Sequence, residues 1–352
     1  MLNIEDRIHR VKHAFADYLS REENEVLISF EVIHILERPF SAIVFITAKT
    51  TENVRKVVIK TVVDHPMNRH LIEQQNQAEV EYDVLKHLHP RFAPVENCSV
   101  PHPILVIPEI DTYLMEFVDG TLLSDKLRYD RYFASKNEFA TLVQYFKDCG
   151  RWLKKFQEFT GIDTAGVEIL NTVIGRCEHR LKHIESARHT PCPKKLRAKV
   201  MNLLHDQISC LSKTQILVSG RHGDFSSFNI LCGPEGINVI DFLGFERDSV
   251  TIDLISMLVH LENESLCMSS NPWRVRALMD SFLEGFGDVP QIPAPVLIIS
   301  EASIRVISLW GNISRTHKRI HHKIEAKRCI KKDINWLINA KKQDLLWPTV
   351  QS

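Results

Sequence analysis

The stretch His222-Gly223-Asp224-Phe225-Ser226-Ser227-Phe228-Asn229-Ile230-Leu231, followed shortly by Val239-Ile240-Asp241-Phe242, sets two carboxylates and an amide at close intervals. Asn229 stands five residues after Asp224, and Asp241 twelve after Asn229. Two short apolar pieces, 229–232 and 238–242, flank Gly233-Pro234-Glu235-Gly236, and that Gly-Pro chemistry predicts a hairpin. Asn229 then opens one strand and Asp241 closes the next, so pairing brings the two together. A carboxylate beside two further hard oxygen donors suits one task well: handling a hydroxyl proton next to a divalent cation.

Toward the N-terminus, a short amphipathic helix over residues 1–20 precedes three segments rich in Val, Ile and Phe. These segments, Val26–Leu36, Ala42–Ala48 and Arg55–Val62, read as strands separated by turn residues at 37–41 (with Pro39) and 50–53. In the third, Val58, Lys60 and Val62 share a face, which puts one cation in an otherwise apolar row. His70–Leu88 predicts a helix whose inward stripe is Leu71, Ala78, Tyr82, Leu85 and Leu88. At ~100° per residue, Glu81 falls inside that stripe and Glu79 outside it. After the Pro-containing stretch 90–108, Tyr113–Val118 reads as a strand ended by Asp119-Gly120. Helices dominate beyond that point. They include an apolar face of Phe139, Leu142, Val143, Phe146 and Leu153, a helical pair in 176–213 and two more helices in 293–345. The predicted division is residues 1–118, a sheet with one helix, and residues 119–352, mostly helical.

Phosphoryl transfer from ATP needs these residue types: a carboxylate for the acceptor hydroxyl, two oxygen ligands for Mg²⁺ and a cation for the α/β-phosphates. The whole pattern resembles the protein-kinase-like fold and, within it, the aminoglycoside phosphotransferase family, whose members carry H-G-D-x-x-x-x-N followed by I-D-[FW]. The likeness runs in order through Val57-Val58-Ile59-Lys60, the Glu81 helix, Leu114-Met115-Glu116-Phe117-Val118-Asp119-Gly120, the loop and hairpin, and Asp253-Leu254. It implies a bilobal α+β fold, a small β-rich N-lobe and a larger, mostly helical C-lobe, with ATP and Mg²⁺ as cofactors.

Lys60, paired to Glu81, would hold the α/β-phosphates. Met115 would lie behind the adenine, with the Glu116 carbonyl and the Val118 amide on its edge. Asp224 would be the base, and Asn229 and Asp241 the metal ligands. His222 and Asp253 are implied to be structural supports, Asp253 by accepting hydrogen bonds from the catalytic-loop backbone. Two departures stand out. No G-x-G-x-x-G joins the first two strands; Pro39-Phe40-Ser41-Ala42 stands there, which makes Ser41 the candidate phosphate contact. The first large C-lobe helix reads Phe156-Gln157 where the family often has Leu-His, so no acceptor role carries over to that position.

Asp241 and Asp253 are only twelve residues apart, too few for the long activation segment on which protein kinases seat a peptide, and no A-P-E follows. The expected acceptor is therefore a hydroxyl of a small molecule or glycan. Phe245-Glu246-Arg247-Asp248 is the local candidate for its pocket. A nucleotide-binding pseudokinase or scaffold and an atypical protein kinase are the alternative readings.

The 352 residues are 44% hydrophobic and 25% charged, which excludes a disordered or fibrous chain. Equal numbers of acidic and basic residues, 44 each, argue against nucleic-acid binding. Residues 315–332 concentrate eight Lys/Arg against one Glu, and Ile313, Ile320, Ile324 and Ile334 predict a basic amphipathic helix there. Its bland reading is a solvated face. Its sharper one is attraction of an anionic acceptor, or peripheral contact with a membrane-linked substrate. Eight scattered cysteines without a C-x-x-C pair read as free thiols. With no apolar signal core and no uncharged run near the ~20 residues of a membrane span, a cytoplasmic location is the expectation. Oligomeric state is not legible in the sequence.

Overall fold

The computed structural model describes residues 3–38, 41–62, 76–130, 135–186, 193, 195–211, 214–267, 271–288, 291–315, 320–340 and 345–346. The chain forms two compact units, one of Met1–Thr121 with Leu231–Phe245, the other of Leu122–Ile230 with Glu246–Ser352. The single cut expected at 118/119 placed the 231–245 segment with the helical part, whereas its contacts put it in the first unit.

The first unit is built on a five-stranded sheet in the order β1 (Leu27–Glu37), β2 (Ser41–Thr50), β3 (Val54–Val62), β6 (Thr112–Glu116), β5 (Pro103–Ile107). Its pairs are antiparallel throughout. Helix α1 (Ile4–Tyr18), capped by the Asn3 side chain on the Asp6 amide, packs Val11 and Phe15 onto the face carrying Val44, Ile46, Val57, Ile59 and Leu114. β5 lies in the Pro-containing stretch to which the sequence reading assigned no element. Its proline is the first strand residue and the strand is at the sheet edge, the two places where the missing N–H is tolerated.

Helix α2 (Gln77–Phe92) carries Pro90 near its end; the part of the expected helix before Asn76 lies outside the described residues. A smaller sheet has the order β4 (Cys98–Ser99), β11 (Gly236–Val239), β10 (Ile230–Gly233), β7 (Thr121–Leu122). Gly236, at φ +104, is needed where the hairpin meets the 97–99 segment, since a Cβ there would stand 2.3 Å from the Asn97 carbonyl oxygen.

The second unit is mainly helical: α3 (Leu123–Asp130), α4 (Lys136–Phe159), α5 (Ile169–Ser186), α6 (Leu196–Ser209), α7 (Thr251–Glu264), α8 (Pro272–Phe286), α9 (Ala294–Arg315) and α10 (Ile320–Asn339). A three-stranded sheet, β12 (Glu246–Ser249), β9 (Ile216–Arg221), β8 (Asp163–Ala165), holds the central strand β9. Helix α9 is long and apolar enough by length and composition to cross a membrane, yet most of it is buried within the protein. At its centre the fully buried Arg305 bonds Glu301, Glu262 and Asp333. Asp333 lies on α10, so one cation ties three helices.

The basic segment therefore differs from the expected amphipathic helix. Ile313 belongs to α9 and Ile324 is exposed. The inward face of α10 is Glu325, Ala326, Cys329, Ile330, Asp333 and Leu337, because Asp333 has its charge partner inside the protein. Lys323, Lys327, Arg328 and Lys331 are exposed, while Lys332 pairs with Glu262.

Candidate active site

In the first unit, strand alternation turns Lys60 inward together with Val58 and Val62, and all three are buried. An edge lysine would snorkel to solvent. Lys60 instead donates to Glu81 Oε1 at 2.7 Å and to Asp241 Oδ1 at 2.7 Å. Helical spacing turns Glu81 onto the buried face of α2 and leaves Glu79 exposed. The cluster holds one cation and two carboxylates, of which Asp241 keeps about a third of its side chain accessible. Burial pushes the Glu81 carboxyl up to about 7; the Lys60 charge opposes this and the Asp241 charge adds to it. Burial works to lower the Lys60 ammonium, but Asp241 and then Glu81 outweigh it and hold the group above its ordinary value.

Asp241 is not at the end of a strand. β11 stops at Val239, and Asp241 follows with φ +73, a left-handed conformation that costs a non-glycine residue of order 1–3 kcal/mol. That turn of the backbone is what delivers the carboxylate to Lys60. Sequence reasoning missed Tyr113, which stands directly opposite Lys60 in the β3–β6 register. Burial, with the Glu81 and Asp241 charges, raises its phenol well above the usual value.

Met115 is buried on β6 opposite Val58. The Glu116 amide is spent on the His102 carbonyl and that of Phe117 on Lys56, whereas the Val118 amide donates to no backbone carbonyl among the described residues. Ser41 is buried at the start of β2, and its carbonyl accepts from the Arg38 amide at 2.8 Å. Pro39 and Phe40 lie outside the described residues.

In the second unit, β9 leads into the loop that carries Asp224. Asp253, at the first turn of α7, accepts the backbone N–H of His222 at 2.6 Å and of Gly223 at 3.1 Å. Gly223 has φ +91, so a side chain there would be strained. His222 is fully buried, edge-on to Trp152 and Phe225, and its Nδ1 accepts the Asp224 amide at 3.3 Å. Burial raises the Asp253 carboxyl to about 6 despite the Arg221 charge and the two amides.

Asn229 lies in a short 3₁₀ turn, Ser227–Asn229, rather than at the head of β10. Its Nδ2 donates to the Asp224 carbonyl at 2.9 Å and to Asp224 Oδ2 at 2.8 Å. Ser227 bonds His260 at 2.6 Å, which seats the turn on α7. Three residues of the Phe245–Asp248 candidate for an acceptor pocket, Glu246, Arg247 and Asp248, are otherwise engaged. Both carboxylates of β12 pair with Arg176 and Arg221, and Arg247 donates to the Thr160 and Gly161 carbonyls. Gln157 is buried and donates to the Val250 carbonyl at 2.8 Å.

Solved structures share this architecture. A choline/ethanolamine kinase family protein from Mesorhizobium loti matches with a TM-score of 0.55 at 12% identity, over 97% of this chain and 99% of its own. The ternary complex of a thermostable aminoglycoside phosphotransferase APH(4)-Ia mutant with AMP-PNP and hygromycin B matches with a TM-score of 0.54 at 11% identity, over 92% and 97%. An ethanolamine kinase from Plasmodium vivax matches with a TM-score of 0.51 at 13% identity, over 95% of both chains. No protein-family model matches the chain, and no curated protein matches it in sequence. At these identities the likeness shows the fold alone, the kinase-like fold of these neighbours.

Proposed function

We propose that the protein transfers the γ-phosphoryl group of ATP to a hydroxyl of a small molecule or saccharide. The observation that carries this reading is the buried ion cluster Lys60–Glu81–Asp241, set in a kinase-like fold. Desolvating an ammonium and two carboxylates is expensive, and well-packed apolar residues serve stability as well or better. A cation poised for phosphates beside a carboxylate poised for metal accounts for that expense.

In this reading Lys60 takes the α/β-phosphates and Glu81 keeps it charged and directed. The donor set suits Mg²⁺: Asp241 offers a carboxylate, and Asn229, with its Nδ2 spent on Asp224, offers only its amide oxygen. Bound there, the ion would neutralise charge on the β/γ-phosphates. Asp224 orients the acceptor hydroxyl and accepts its proton as the oxygen bonds to phosphorus, while the bond to the leaving ADP oxygen breaks. Asp253 and His222 fix the loop that presents Asp224. Ser41 and the Val118 amide are assigned to phosphate and adenine edge, and Met115 to the adenine face.

The segment between Asp241 and Asp253 supports a small acceptor, because residues 246–249 are committed to pairing with β9. The exposed lysines of α10 favour an anionic acceptor, in keeping with electrostatic attraction. ATP titrations monitored by calorimetry, with and without Mg²⁺, test the nucleotide half of the proposal. Wild type should bind Mg²⁺-ATP, Asp241→Ala should lose the metal dependence, and Lys60→Met should lose most affinity. Equal binding by all three would overturn it.

A further inference from the structure

The two members of the buried ion pair stand 21 residues apart in sequence, while a much shorter hydrogen-bonded path joins their elements. That path runs through Asp111, between the 3₁₀ turn Pro108–Ile110 and β6. Asp111 has φ +46 and ψ +54, the left-handed conformation. Its carbonyl accepts the Val62 amide at 3.0 Å and the Thr61 hydroxyl at 3.5 Å, the two residues that follow Lys60. Its side chain turns the other way, and Oδ1 accepts the Ala78 amide at 2.8 Å. Ala78 precedes Glu81 by three residues, one helical turn on the same buried face of α2.

The surroundings reinforce both ends. The Asn76 side chain donates to the Pro108 carbonyl at 2.8 Å, so the start of α2 is bonded twice to the 108–111 turn. Thr112 Oγ1 donates to Thr61, and Arg7 of α1 bonds Thr61 and the Ile110 carbonyl. The turn cannot move without moving β3, α2 or α1.

We infer that Asp111 is a positioning residue for nucleotide binding: one residue with its backbone on the Lys60 strand and its carboxylate on the Glu81 helix, setting the separation of the pair. The inference rests on the proposed role of Lys60 toward ATP. It assigns the left-handed turn a purpose beyond connecting strands, since in that conformation the carbonyl reaches β3 while the side chain reaches α2. Asparagine meets both demands, with an amide oxygen as acceptor and tolerance of positive φ. Glycine meets the backbone demand alone, and alanine meets neither.

The test is the affinity of the full chain for a fluorescent ATP analogue with Mg²⁺, measured beside the melting temperature, for wild type, Lys60→Met, Asp111→Asn, Asp111→Gly and Asp111→Ala. Loss of a helix-capping carboxylate corresponds to roughly a fivefold to tenfold effect. Asp111→Asn should bind within about twofold of wild type. Asp111→Gly and Asp111→Ala should both bind roughly fivefold to tenfold more weakly, although alanine, with its added backbone strain, melts at the lower temperature. Glycine binding as well as wild type, asparagine as poorly as glycine, or affinity following melting temperature across the three, would each overturn the inference while Lys60→Met still shows weakened binding. Unweakened binding by Lys60→Met would instead remove the nucleotide role of the lysine, and the Asp111 inference with it.

Discussion

Replacing Glu81 by glutamine should change how stability depends on pH, and the size of that change follows from the buried cluster. Glu81 is fully buried, bonded to Lys60 at 2.7 Å, and its carboxyl is pushed from its ordinary 4.5 up to about 7. A folded-state value above the unfolded one means the folded protein binds the proton more tightly. Stability therefore falls as pH rises from 4.5 to 7, and the whole penalty is present above that window. At 1.36 kcal/mol per pH unit this amounts to about 3 kcal/mol. The glutamine side chain keeps an oxygen for the Lys60 ammonium but carries no titrating proton, so this part of the pH dependence disappears. Denaturant unfolding of both proteins at about pH 5 and pH 8 isolates the effect, because every other titrating group common to both largely cancels in the difference. Glu81→Gln should gain about 3 kcal/mol on wild type between the two pH values. A difference that stays constant, or that moves the other way, would show that Glu81 is ionised throughout and that burial does not dominate its chemistry.

Asp224→Asn should leave Mg²⁺-ATP affinity nearly unchanged and lower phosphotransfer by about 10²–10⁴-fold, read from single-turnover rates. Gly223→Ala places a Cβ at φ +91 and should cost about 1–2 kcal/mol in thermal unfolding, with transfer falling more than nucleotide affinity because the Asp253-bound loop shifts. Arg305→Leu strands the buried Glu301 and Asp333 without their cation, while Glu262 keeps Lys332, and should cost about 3–5 kcal/mol at pH 8. Burial already raises Glu301 to about 7 and Asp333 to about 6, so protonation relieves that deficit as pH falls. Melting temperatures at about pH 5 should therefore lie closer to wild type than those at pH 8, and a wider gap in acid would contradict the assignment.

Legibility in the sequence followed the physics of each element. Period-two alternation turned Lys60 inward, and helical spacing separated Glu81 from Glu79, because both depend on local geometry alone. Asp241 was legible as a residue but not as a conformation: nothing in Val239-Ile240-Asp241 announces that the strand ends early and the backbone turns left-handed. β5 was hidden by its prolines, which an edge position tolerates. Asp111 has the look of an ordinary turn residue, since its partners Val62 and Ala78 are brought to it only by tertiary packing. Glu246 and Asp248 stand open to an acceptor in the sequence because their arginines, Arg176 and Arg221, come from a distant helix and a neighbouring strand. Asp333 and Glu325 escape the isoleucine pattern of the basic helix for the same reason: hydrophobic patterning has no place for a buried carboxylate until its partner is known.

In the proposed reaction the Asp224 loop serves the acceptor and the Lys60 cluster the nucleotide, and only a transfer reaction requires both. The most direct measurement is the movement of label from γ-labelled ATP onto a panel of sugars, amino alcohols and phosphorylated saccharides by wild type and Asp224→Asn. The proposed transfer should leave a labelled, acid-stable phosphoester on at least one hydroxyl compound with wild type and lose orders of magnitude with the variant. Equal labelling by the two proteins, or ATP bound by wild type with no label passed to any hydroxyl, would contradict it.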